Sequence, residues 1–272
     1  MKIYQLKNVG YTYLGKFPAL VDINLEIQKG DQLAILGANG SGKSTLLKML
    51  NGLIFPQQGE ILAFGTKLTP SLLDGAGSEF ARSFRARVGF IFQDSDIQLF
   101  SPTVWDEIAF GPLQLDLPPE EVEERVEDVM EMLGIKKLEK RAPYTLSGGE
   151  KKKVALASVL SVNPEVLLLD EPTNNLDPRT QRWLLELLAE LRKLGKTIII
   201  STHDLELALE STEKAAVFSE DHRIVETAPT PEIIDDRHLL LEVNLIHEHT
   251  HIHSGIIHTH PHPTAGRHHP TQ

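Results

Sequence analysis

Val21, Ile23, Leu25 and Ile27 alternate with Asp22, Asn24, Glu26 and Gln28, the period of two that marks a strand with one buried and one wet face. The chain therefore opens in antiparallel sheet. Short apolar runs then replace the alternation, at residues 34–37 (AILG), 166–170 (VLLLD) and 197–202 (TIIIST), and these suit strands covered on both faces of a parallel sheet. Helical patterns follow. Leu46, Leu47, Met49 and Leu50 line one helix. Trp183, Leu184, Leu187, Leu188, Leu191 and Leu194 line another, which Asp177 and Pro178 can start and Gly195 can end. This alternation predicts an α/β fold, with a mainly parallel core sheet behind an N-terminal antiparallel β region.

Between about residues 93 and 160 the pattern is helical instead. Val122, Val126, Val129, Met130 and Leu133 share one helix face, and Gly134 supplies a stop. The stretch reads as a helical insertion between two core strands. After about residue 238 the periodicity fails and the composition turns to His, Thr, Pro and Gly, as in a flexible tail. No internal repeat is visible, so the chain carries one copy of its site.

At 272 residues the chain suits one large α/β domain with an inserted or appended piece, because single cores stop growing at roughly 250–300 residues. Its 27 Lys and Arg against 38 Asp and Glu give a formal charge of −11, which argues against nucleic acid as a partner. The absence of cysteine removes disulfides, thiolate zinc sites and cysteine nucleophiles. No run approaches the roughly 20 apolar residues of a membrane span, and the start, MKIYQLKNVG, is no signal peptide; a cytosolic chain is expected. Of 12 histidines, nine lie between His247 and His269.

Gly37-Ala38-Asn39-Gly40-Ser41-Gly42-Lys43-Ser44 satisfies G-x-x-x-x-G-K-[ST] between a buried strand and an amphipathic helix. Such a loop turns several N–H groups and a helix N-terminus onto anionic oxygens, with Lys43 against β/γ charge and Ser44 on Mg²⁺. A nucleoside triphosphate is the implied ligand. VLLLDE at 166–171 ends a buried strand with two carboxylates, placing Asp170 near the Mg²⁺ and Glu171 where it can polarise a water. At the end of the next buried strand, His203 in STHD is positioned to reach the γ-phosphate or that water. A second anion-binding surface is predicted at Leu146-Ser147-Gly148-Gly149-Glu150, where Ser147 and Glu150 have capping-box spacing. Taken alone, that segment reads first as a simple helix cap.

With these motifs together, the chain resembles the nucleotide-binding subunit of ATP-binding-cassette transporters from about residue 3 to 235. The loop at 37–45, ending on Thr45, is followed by Gln93 in GFIFQD, LSGGE at 146–150, LLLDE at 167–171, NNLD at 174–177 and His203, in the family's order and approximate spacing. The resemblance implies a P-loop NTPase of the ABC ATPase fold over residues 1–238, with the helical subdomain inserted at about 93–160 and a His-rich tail at 239–272. It further implies a head-to-tail dimer, homomeric or heteromeric, in which the signature of one chain covers the γ-phosphate held by the loop of the other. ATP and Mg²⁺ are the implied cofactors: Ser44, Gln93 and Asp170 around the ion, Lys43, Glu171 and His203 in catalysis, and Ser147, Gly148 and Gly149 contributed across the dimer. Tyr13 would stack on the adenine, with Tyr11 as competitor. Asp177 would cross the interface, although before Pro178 it also reads as a helix N-cap. Glu150 stands where the family usually has Gln, and repulsion from the triphosphate predicts that it points outward.

Residues 93–112, QDSDIQLFSPTVWDEIAFGP, resemble the energy-coupling-factor importers, especially their cobalt and nickel ATPase subunits. That resemblance implies import of Co²⁺ or Ni²⁺ by a complex with a transmembrane coupling subunit and a metal-binding membrane component, this chain lying peripherally on the cytoplasmic face of the cell membrane. Leu99 and Phe100 would suit a docking groove, or else belong to the core of the helical lobe. The tail histidines His247, His249, His251 and His253, then His258, His260 and His262, alternate with other residues, and His268 and His269 close the series. Imidazole suits Ni²⁺ and Co²⁺, so the tail reads as a multivalent metal binder or as a plain solvated segment. A vitamin importer with the same motor, and a cytosolic metal-storage or chaperone ATPase, are the competing functions.

Overall fold

The computed structural model describes residues 1–74, 78–253 and 256–263, with side chains through His247. Strands β1 (Lys2–Tyr13) and β2 (Phe17–Gln28) pair antiparallel. On β2, Ile23, Leu25 and Ile27 are buried between exposed neighbours, as the alternation predicts. Val21 departs from it and is only half-buried. Asp22 takes a left-handed φ of 53° beside a register shift in the β1–β2 ladder, and this bulge passes the inward slot to Leu20.

β3 (Gln32–Leu36) is buried throughout and leads through the glycine loop into α1 (Lys43–Leu50). Strands β4 (Gln58–Ala63) and β5 (Thr66–Lys67) complete a four-stranded antiparallel sheet of order β2-β1-β4-β5. Next come α2 (Pro70–Leu73), α3 (Glu79–Arg87) and β6 (Val88–Ile91). The predicted insertion follows as α4 (Val104–Gln114), α5 (Pro119–Met132) and α6 (Gly148–Leu160). Val122, Val126, Val129, Met130 and Leu133 are all buried there, and Gly134 ends the helical run at φ 66°.

The chain returns to the sheet with β7 (Val166–Asp170), then α7 (Pro178–Lys193), β8 (Thr197–Thr202), α8 (Leu205–Ser211), β9 (Lys214–Phe218) and β10 (Ile224–Pro229). The second sheet has the order β10-β9-β3-β8-β7-β6 and is parallel except for the β10–β9 pair. On α7, Leu184, Leu187, Leu188 and Leu191 are buried; Leu194, beyond the last turn, is 74% exposed and does not continue the stripe.

Alternate residues of the parallel strands feed different cores. Leu168 and Ile199 join α1 and the antiparallel sheet, whereas Leu167, Leu169, Ile198 and Ile200 join the helices of the insertion and α7. The helical lobe thus shares a core with the sheet. Regular structure also continues past residue 238: α9 (Thr230–Asp235) and α10 (Arg237–Glu242) precede β11 (Ile246–His253) and β12 (Ile256–Pro263), which form a separate antiparallel pair. Ile246 ties the start of β11 to a small core with Ile233, Leu240 and Val243.

Candidate functional site

The register of the parallel strands brings the predicted site together. Leu36 of β3 stands beside Thr202 of β8, and Asp170 of β7 stands beside Ser201, so the loops leaving β3, β7 and β8 share one edge. Ligand sites in open α/β sheets form at such carboxyl ends. Gly40 and Gly42 take φ of 84° and 113°, values that let the loop curl before α1. A Cβ on Gly42 would lie 2.2 Å from the carbonyl oxygen of Ala19, so the loop is pressed against β2.

Lys43 Nζ donates back to the carbonyls of Gly37 (2.8 Å) and Ala38 (3.1 Å). It lies 3.5 Å from Glu171 Oε1, with both side chains buried. Burial pushes the Lys43 ammonium below its ordinary range, and the Glu171 carboxylate opposes that shift. Ser44 Oγ donates to Asp170 Oδ1 at 2.8 Å, and Ser201 Oγ donates to the same oxygen. A hydroxyl and a carboxylate already in contact form a set of hard oxygen donors, which fits Mg²⁺.

Glu171 sits at φ 41°, unusual for a residue with a side chain, at a backbone cost of order 1–3 kcal/mol. Its N–H donates to the carbonyl and hydroxyl oxygens of Ser201, which pins the turn. The carboxylate is held 3.0 and 3.1 Å from His203 Nδ1. That hydrogen bond raises the His203 pKa, against the effect of partial burial. Because the folded value lies above the unfolded one, the pair's contribution to stability is full below about pH 6.5 and is lost as pH rises through the raised value. In an NMR titration of the nucleotide-free protein, His203 should therefore titrate above an ordinary histidine, and Glu171→Gln should bring it down. An unchanged titration in that variant would sink the pairing.

A cavity of about 300 Å³ runs from Tyr13 along Asn39, Gly40 and Lys43–Thr45 to Gln93 and Glu171. Tyr13 Oη is 3.3 Å from Thr45 Oγ1. Tyr11 packs edge-on against Tyr13, at 4.9 Å between ring centroids, and borders a different cavity. Of the two rings, Tyr13 borders the cavity of the glycine loop.

The signature segment stands apart from this cavity. Ser147 caps α6 by accepting from the Glu150 N–H (3.4 Å), and Glu150 Oε2 accepts from the Ser147 N–H and hydroxyl at 3.0 Å each, closing the predicted capping box. The Glu150 carboxylate does not point outward as expected: it bends back over the helix N-terminus, with Arg141 at 3.7 Å. The Ser147 backbone hydrogen bond leads in holding its pKa down. Gly149 abuts α7, where an added Cβ would meet Thr180 Oγ1 at 2.9 Å. Gly148 lines a second cavity of about 390 Å³. Gln93 borders both cavities, the only predicted site residue to do so among those with described side chains.

Two contributors escaped the sequence reading. Ser201 looked like one more residue of a buried strand, yet its hydroxyl fixes Asp170. Lys152 stands in a run of three lysines, 151–153, yet it is 2% exposed and its Nζ donates to the carbonyls of Phe92 and Gln93 at 3.2 Å each. Burial pushes Lys152 down to about 8, against the attraction of Asp94 and Asp170. The helical period of α6 was the available signal, since it places 152 on the face that also buries Ala155 and Leu156.

Asp177 is an N-cap, accepting from the N–H groups of Arg179 and Thr180. Leu99 packs on the helical core, whereas Phe100 is 67% exposed, its ring edge-on to Phe110. Among residues with described side chains, no His, Asp and Glu cluster is spaced to hold a metal. His249, His251, His253, His258, His260 and His262 have described backbone positions on β11 and β12; His268 and His269 lie outside the described residues. Among the described residues, no helix is long and apolar enough to cross a membrane.

Comparison with known proteins agrees with this geometry. Residues 20–174 match the family described as ABC transporter. A putative ABC transporter ATP-binding protein of Methanosarcina acetivorans is 56% identical over 92% of this chain and 91% of its own length. A nickel import ATP-binding protein of Rhodobacter capsulatus is 46% identical over 89% of this chain and 95% of its own. Among solved structures, cbiO1 of Clostridium perfringens, described as part of the ABC transporter complex cbiONQ, superposes with a TM-score of 0.75 at 36% identity, covering 90% of this chain and 95% of that one.

Proposed function

The chain belongs to the ABC transporter family, as an ATPase of the energy-coupling-factor and nickel-import type, and from that premise we propose that it powers import of Ni²⁺ or Co²⁺. The observation that carries the ATPase reading is the convergence of Lys43, Ser44, Asp170, Glu171 and His203 at one sheet edge. Metal cargo is supported by the near full-length similarity to a nickel importer's ATPase and by the histidine tail, which would hold Ni²⁺ or Co²⁺.

Bound Mg²⁺ would supply charge neutralisation on the β- and γ-phosphates. Ser44 and Asp170 would hold that ion with Gln93, while Lys43 and the loop N–H groups from Gly37 to Thr45 bind the triphosphate. Glu171 takes the proton of the attacking water, and His203 orients the Glu171 carboxylate and the γ-phosphate end of the site. Ser147, Gly148 and Gly149 lie outside their own chain's nucleotide cavity, so they would act on nucleotide held by a second ATPase subunit, like or unlike this one. Gln93, bordering both cavities, would report nucleotide occupancy to a transmembrane coupling subunit, beside which a metal-binding membrane component selects the ion. The chain would then lie peripherally on the cytoplasmic face of the membrane.

The test is uptake into vesicles by the complex copurified with this chain, comparing Ni²⁺, Co²⁺ and vitamin substrates. ATP-dependent uptake of either metal is the expected result. Vitamin uptake without metal uptake would replace the cargo, and a chain that never copurifies with membrane proteins would replace the transporter reading by a cytosolic one.

A further inference from the structure

Seven of the tail histidines fall on two paired strands. β11 and β12 run antiparallel with His247 opposite His262, His249 opposite His260 and His251 opposite His258. The intervening pairs are Ile246 with Pro263, Glu248 with Pro261, Thr250 with Thr259 and Ile252 with Ile257; His253 stands opposite Ile256. Since successive strand residues alternate between faces, the seven histidine positions occupy one face of the ribbon, together with Ile256, and the Glu, Thr and Pro positions with Ile246, Ile252 and Ile257 occupy the other. In this register all three pairs set His against His, whereas shifting one strand by a single residue would set each of these paired histidines against Thr, Pro, Ile or Glu.

We propose that this ladder of cross-strand pairs, His247/His262, His249/His260 and His251/His258, is a binding site for one borderline divalent transition ion of the Ni²⁺, Co²⁺ and Zn²⁺ class. Opposite Cβ positions in an antiparallel pair are about 5 Å apart, and same-face neighbours along a strand are about 7 Å apart. Two adjacent pairs therefore set four histidine positions at the corners of a rectangle of about 5 by 7 Å, a spacing from which one ion with metal–nitrogen bonds of about 2 Å could be shared. Imidazole is the donor these ions favour. Every four-histidine set made from adjacent pairs includes His249/His260, so the ribbon binds one ion tightly rather than two. An isolated two-stranded ribbon is marginally stable in water, and an ion that binds only the paired form also stabilises that pairing.

The inference rests on the reading of the tail as metal-binding and is independent of what the transporter carries. It is tested by titrating Ni²⁺ into the full-length protein by calorimetry, with hydrogen exchange of the 246–263 amides as a second measurement. The expected result is one tight ion per chain and slower amide exchange with metal. His249→Ala/His260→Ala should weaken binding at least tenfold, because it leaves no two adjacent pairs: the remaining pairs are about 13 Å apart, and His253 adds only a third histidine position beside His251/His258. His247→Ala/His262→Ala, which leaves two adjacent pairs, should stay within threefold of the parent. MgATP turnover should be unchanged in both variants. Equal losses in the two variants would leave a metal-binding tail but overturn the ladder; no Ni²⁺ binding by the parent protein would overturn both.

Discussion

Glu171→Gln should lower steady-state ATP hydrolysis by roughly 10²–10⁴-fold, the usual contribution of a positioned general base, while ATP affinity stays within a few-fold of the parent. Gln matches Glu in shape and can still accept a hydrogen bond from His203, but it cannot take a proton from water. A carboxylate serving only as a strut between Lys43 and His203, which lie 3.5 and 3.0 Å away, would predict a different pattern: some loss of stability and little loss of turnover. The same variant should accumulate as an ATP-bound dimer, visible by size-exclusion chromatography, if ATP binding closes two chains around nucleotide and hydrolysis reopens them. Undiminished ATPase would remove Glu171 from the role of base. Full-speed turnover by a strictly monomeric chain would remove the dimer as well.

The fold was legible wherever burial imposes a period. The alternation on β2, the apolar runs of β3, β7 and β8, and the stripe on α5 each follow from which faces are covered. Alternation broke at Val21, where the left-handed Asp22 inserts a bulge that hydrophobic pattern does not encode. The ribbon of β11 and β12 was missed for a related reason. His alternating with Glu, Thr and Ile has a period of two but little polarity contrast, so it resembles a low-complexity tail until the strands are paired.

Within the site, motif residues near the loop could be placed from order and spacing, because strand–loop–helix geometry is local. Lys152 and Ser201 could not, since each acts through a partner distant in sequence, at Phe92 and Gln93 or at Asp170. The direction of Glu150 follows capping, which the spacing of Ser147 and Glu150 already marks, rather than repulsion from a triphosphate. Within this chain the helix N–H groups and Arg141 face the carboxylate, and they hold it over the helix end.

Two glycines of one loop separate backbone strain from steric exclusion, and they yield the other large effect. Gly40→Ala and Gly42→Ala both place a side chain at positive φ, 84° and 113°, where an L-residue costs about 1–2 kcal/mol. Beyond that they differ: a Cβ on Gly40 meets nothing within 4 Å, whereas one on Gly42 meets the Ala19 carbonyl oxygen at 2.2 Å. Neither partner is a side-chain tip that can swing away, since Ala19 is backbone of β2 and Gly42 precedes the first turn of α1. The loop must lift, carrying the N–H groups of Lys43 and Ser44 off the phosphate position and breaking the Ser44–Asp170 contact. Gly42→Ala should therefore weaken MgATP binding at least 100-fold, about 2.8 kcal/mol, and Gly40→Ala less than tenfold. Fluorescent-nucleotide titration gives both constants, and thermal unfolding without nucleotide shows whether each variant is folded when it is assayed. Equal losses from a folded pair would mean that strain alone governs the loop and that its seating against β2 is incidental to binding.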